Sequence, residues 1–106
     1  MEAISKSKYW KDSVIFVTED DAQSNLDHVD GHRTIGRVIG PWVKRKVVDS
    51  TFYTTVQIYR TIQHLLALPP HNQFDLAAEP MFPVFTGKAN LTPYVAEKNE
   101  RPADGL

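Results

Sequence analysis

Ser13-Val-Ile-Phe-Val-Thr18 decides how this chain is read. Four apolar residues stand in an unbroken row, three of them β-branched and one aromatic. An alternating pattern would mark a strand wet on one face. A continuous row predicts a strand buried on both faces, the habit of a parallel sheet in an α/β fold. Directly behind it comes Glu19-Asp-Asp-Ala-Gln-Ser-Asn-Leu-Asp-His-Val-Asp-Gly-His-Arg33. Five carboxylates and two imidazoles fall in these fifteen residues, and only Arg33 opposes them. Two carboxylates about 4 Å apart repel by roughly 4 kcal/mol at an effective dielectric near 20. A fold that gathers them needs a cation in their midst, and a divalent metal ion is the usual one, because Asp oxygen and His nitrogen are both metal ligands. A fold that leaves them apart makes this a solvated loop in which Asp27 or Asp30 caps a turn.

The rest of the chain sets the frame. Its 106 residues allow one small domain, and 42% hydrophobic with 24% charged residues is ordinary for a globular chain. A net charge of −1 offers no electrostatic footing for nucleic acid. Lys44-Arg45-Lys46 is too short to count as a basic patch. There is no cysteine, so disulfides and thiolate metal sites are excluded. No apolar run reaches the roughly 18 residues of a transmembrane segment.

Residues 2–10 read as the end of a helix that runs into a turn at Lys11-Asp12. Residues 34–39 predict a second strand, interrupted by Gly36 and Arg37 and ended by Gly40-Pro41. A basic connection, 43–48, leads to Asp49 or Ser50 as the cap of a long helix. Phe52, Val56, Tyr59, Gln63 and Leu66 follow helical spacing along it, with Gln63 at the stripe edge and Tyr53 and Tyr59 in the core. Pro69-Pro70 stops that helix. Residues 74–81 predict one helical turn. Residues 88–106 read as a polar tail, extended or disordered. Two strands and one helix do not cover both faces of a buried parallel sheet, so the chain reads as part of something larger or as a subunit that needs a partner. Trp10 and Trp42 read as packing residues.

The segment Trp10-Lys-Asp-Ser-Val-Ile-Phe-Val-Thr-Glu-Asp-Asp-Ala-Gln23 followed by Asp27-His-Val-Asp-Gly-His-Arg33 resembles the C-terminal part of bacterial phosphoesterases of the phospholipase C and acid phosphatase type, in the alkaline phosphatase superfamily. The likeness continues through Val38-Ile-Gly-Pro41, Val48-Asp-Ser-Thr-Phe-Tyr53, Leu68-Pro-Pro70 and Gln73-Phe-Asp-Leu-Ala-Ala78. It spans residues 8–86. The resemblance implies a partial alkaline-phosphatase-like α/β sandwich over residues 1–87, with a mostly parallel sheet and a long helix on one face. It implies hydrolysis of phosphate esters at a divalent metal ion, and a periplasmic, secreted or cell-surface setting. Asp20, Asp21 and His28 would be metal ligands. Asp27, His32 and Arg33 would face the substrate, although Arg33 serves equally well as a partner of Asp30 or Glu19. The family's hydroxyl nucleophile has no counterpart in these residues, so the isolated chain is expected to be inactive. Its partner would be the remainder of the phosphoesterase domain. The alternative is a non-catalytic structural module that buries its open strand by self-association.

Overall fold

The computed structural model describes residues 1–20 and 33–98. Along the chain run helix α1 (Glu2–Ser5), a 3-10 turn (Trp10–Asp12), strands β1 (Ile15–Thr18) and β2 (Gly36–Ile39), helices α2 (Thr55–Leu65) and α3 (Gln73–Ala77), and a second 3-10 turn (Phe82–Val84).

The expected mostly parallel sheet is corrected. β1 pairs with β2 antiparallel in a two-stranded sheet, in the register Ile15↔Ile39, Phe16↔Val38, Val17↔Arg37 and Thr18↔Gly36. A run of apolar residues says that a strand prefers cover on both faces. It does not say which neighbour supplies that cover. Here the neighbour is the next strand in sequence, reached by turning back, whereas a parallel neighbour needs a crossover, usually helical. The apolar row is also only partly covered. Ile15 and Phe16 are half-buried, while Val17 is 40% exposed at the end facing the acidic segment. β2 runs the other way, from exposed Gly36 and Arg37 to buried Ile39. The covered end of the sheet is therefore the end near Gly40. A Cβ at Gly40 would stand 2.9 Å from the backbone oxygen of Ser13, so only glycine lets β2 leave the sheet so close to β1.

The long helix is corrected too. α2 is eleven residues, and its cap is neither Asp49 nor Ser50. Asp49 instead holds a turn by accepting the Thr51 N–H at 2.9 Å. The helix begins at Thr54 with a capping box, in which the Gln57 side chain accepts the Thr54 N–H at 2.6 Å. Phe52 and Tyr53 thus precede the helix, and Phe52 is 82% exposed. Tyr59, expected in the core, is exposed, while Thr61 and Gln63 are buried. These two polar side chains tolerate burial because each has a partner on the following segment. The Thr61 hydroxyl donates to the Gln57 carbonyl at 2.6 Å and accepts the Met81 N–H at 2.9 Å. Gln63 donates to Asp75. The helix ends on Ala67 in the left-handed region (φ 53), ahead of Pro69-Pro70. α3 starts at Asn72, whose side chain accepts the Asp75 N–H.

The apolar core of the described residues is small. Trp10, Ile39, Val43 and Met81 are buried, and so is Pro41. Trp10 meets the ring of Tyr94 edge-on at 5.9 Å, and the Arg45 guanidinium lies over the same Tyr94 ring at 4.5 Å. Residues 88–98, read from sequence as a loose tail, form no helix or strand but are pinned along their length. The Asn90 N–H donates to the Pro41 carbonyl at 2.7 Å, Tyr94 N–H to Ser5 Oγ at 2.8 Å, and Ala96 N–H to Glu2 Oε2 at 2.8 Å. Arg45 Nη2 donates to the Asn90 carbonyl at 2.9 Å. The tail thereby closes the N-terminal helix onto the core. Trp42, by contrast, is half exposed and is held by its ring N–H, which donates to the Lys11 carbonyl at 3.0 Å.

Candidate metal centre and a buried carboxylate

The acidic segment connects the two strands of the hairpin. Because Thr18 is paired with Gly36, residues 19–35 leave and re-enter at one end of the sheet. Partner strands lie about 4.8 Å apart, so the two ends of the segment are neighbours in space. Glu19 and Thr34 span that neck: the Thr34 hydroxyl donates to Glu19 Oε2 at 3.0 Å. Asp20 lies just beyond β1 and is exposed, as is Arg33 before β2. Glu19 makes no ion pair with Arg33. Asp21, Asp27, His28 and His32 lie outside the described residues. Among the described residues no three His, Asp or Glu side chains are grouped so as to hold a metal ion.

A second polar cluster was not singled out by the sequence. Asp75, 8% exposed, accepts the Gln63 side-chain N–H at 2.8 Å and the His71 backbone N–H at 3.2 Å. The Gln63 amide holds this carboxylate below its ordinary range; desolvation opposes the shift, and the His71 N–H adds to it. The available signal was Gln63 itself, the one polar member of the apolar series. A buried amide asks for a buried partner, and Asp75 is that partner. The other two histidines in the described residues serve packing and turn formation. His64 stands edge-on to Phe82 at 5.1 Å, and His71 contributes its backbone N–H to Asp75.

The Asp75 interaction has a pH signature. A carboxylate whose folded pKa lies below its unfolded one stabilises the fold above the unfolded value, and that contribution disappears as pH falls through the folded pKa. Asp75→Asn is therefore expected to melt at a lower temperature than the parent at pH 7. The difference should narrow as pH drops below the ordinary aspartate value of 3.8. Thermal melts followed by circular dichroism between neutral pH and pH 3 check this; a gap that stays constant with pH contradicts it.

Searches against family models, curated proteins and solved structures return no match to this chain.

Proposed function

We propose that this chain is the C-terminal segment of a metal-dependent phosphoesterase and is inactive by itself. Asp20, Asp21 and His28 bind the divalent metal ion, and Asp27, His32 and Arg33 face the phosphate ester. The observation that supports this most is the tying of the acidic segment at its neck. Antiparallel pairing at Thr18↔Gly36 and the Thr34–Glu19 hydrogen bond bring both ends of a carboxylate-rich stretch to one place. Carboxylates repel wherever they approach one another, and a divalent cation relieves that repulsion. The motif likeness supplies the reaction class. Phosphoryl transfer also needs a nucleophile positioned in line, and the remainder of the domain would supply it.

The isolated chain is expected to give no metal-dependent turnover of p-nitrophenyl phosphate with Zn²⁺, Mn²⁺ or Ca²⁺. Supplied with a phosphoesterase segment that carries the nucleophile, it should restore turnover. Asp20→Ala should then lower kcat/KM on the order of 100-fold or more, the scale for losing a major stabiliser of transition-state charge. Turnover by the chain alone overturns the inactivity. Restored turnover indifferent to Asp20→Ala overturns the site.

One observation favours a second reading, a self-associating structural module. Val48, Phe52 and Phe74 are 92%, 82% and 79% exposed, large apolar side chains that association with a second copy would cover. Light scattering separates the two: a stable dimer in the absence of any other chain favours self-association.

A further inference from the structure

The turn from α2 into α3 borders an open cleft of about 280 Å³. Tyr59, Ile62 and Leu68 form its apolar wall, and Gln63, His71 and Asp75 its polar side. Its described lining residues all lie in α2, in α3 or between them, so the proposal drawn from them does not rest on the phosphoesterase reading. Mostly apolar walls around a few convergent polar groups are the common make-up of a small-molecule site.

The polar side is unbalanced. Asp75 carries a buried carboxylate, yet both its donors are neutral: the Gln63 amide and the His71 backbone N–H. It makes no ion pair among the described residues. Arg60 and the His71 side chain act on it only through space and weakly. Gln63 spends its N–H on Asp75, and its own Oε1 is buried with no donor among the described residues. Two acceptors thus stand together where one cation with several N–H groups would serve both. Buried charges are ordinarily paired, and buried acceptors ordinarily have donors.

We propose that this cleft binds a primary ammonium on a short apolar chain. The ammonium donates to the free side of the Asp75 carboxylate and to Gln63 Oε1. Its alkyl part lies along Ile62 and Leu68, and the exposed Tyr59 ring closes over it. Anions are disfavoured by Asp75, and a neutral alcohol supplies only one donor and no charge.

The test is an ¹H–¹⁵N NMR titration of the full chain with n-butylammonium, and in parallel with n-butanol. Butylammonium is expected to give saturable shifts of the Ile62, His71 and Asp75 amides, with Kd on the order of 1–10 mM, the range of a small fragment. Butanol should bind at least about tenfold more weakly, since it lacks the charge. Asp75→Asn should weaken butylammonium binding by a similar factor. Tyr59→Ala changes an exposed wall residue and should preserve the dispersed spectrum while weakening binding about three- to tenfold, the loss of one aromatic contact. If Asp75→Asn does not fold, the butanol comparison and Tyr59→Ala still decide. Shifts that do not saturate, equal affinity for butanol, or affinity unchanged by Tyr59→Ala each overturn the proposal.

Discussion

Trp10→Ala is expected to be the most destabilising single substitution among the described residues, by about 3–5 kcal/mol. The side chain is 3% exposed and is the largest of the few apolar side chains buried among the described residues. Truncating a buried aromatic to alanine costs about 3–5 kcal/mol, and a domain of this size has only about 5–15 kcal/mol to lose. The damage spreads because of what Trp10 touches. Its ring meets Tyr94, and Tyr94 anchors the terminal segment through Ser5. Loss of the indole frees residues 88–98 together with α1. Urea denaturation followed by circular dichroism should show the loss, and hydrogen exchange should show the Tyr94 and Ala96 amides exposed first. Trp10→Phe keeps a ring in the same place. It also removes an indole N–H that is buried with no partner among the described residues, which offsets part of the lost packing. It should therefore cost clearly less than the alanine variant. A Trp10→Ala protein within about 1 kcal/mol of the parent would mean that the core lies elsewhere.

Thr61→Val has the second largest effect expected. Thr61 is 2% exposed, and its hydroxyl accepts the Met81 N–H, tying the buried face of α2 to the segment after α3. Valine has the same shape, so no cavity opens. What changes is that a buried N–H loses its acceptor, which costs about 1–3 kcal/mol. Thr61→Ser makes the opposite change, keeping the hydroxyl and losing a methyl group. That deletion costs about 1 kcal/mol. The expected order of stability is the parent first, then Thr61→Ser, then Thr61→Val, measured by the denaturation midpoint. If the valine variant proves the more stable of the two, packing rather than the hydrogen bond holds Met81 against α2.

How much of this was legible beforehand follows from which residues speak locally. The strand expected at 13–18 is β1 at Ile15–Thr18, the one expected at 34–39 is β2 at Gly36–Ile39, and the helical turn expected at 74–81 is α3 at Gln73–Ala77, whereas the helix expected to run to Pro69-Pro70 ends earlier, at Leu65. The two strands depend on neighbours in sequence: an apolar, β-branched run for the first and the Gly-Pro that ends the second. The cap of α2 was misplaced because Asp49-Ser50 and Thr54 are both good caps, and the choice fell to Gln57, which completes the reciprocal bonds only with Thr54. The direction of strand pairing, the buried Thr61 and Gln63, and the docked terminal segment were not legible. The partners of Gln63, Thr61 and Ser5 lie from 12 to 89 residues away. Of the acidic segment, the residue types were visible and the closing of its neck was not.

The sequence by itself determined where the two strands lie, and that a dense group of carboxylates and imidazoles follows the first of them. Those facts come from propensities and charge, which act over a few residues. Only the tertiary structure decided that β1 runs antiparallel to β2, that Asp75 answers Gln63, and that Tyr94 completes the surroundings of Trp10. The reason is that an apolar or polar side chain specifies what kind of surface it must meet, while the identity of that surface is set by which distant segment reaches it at the lowest cost in chain entropy and unpaired groups.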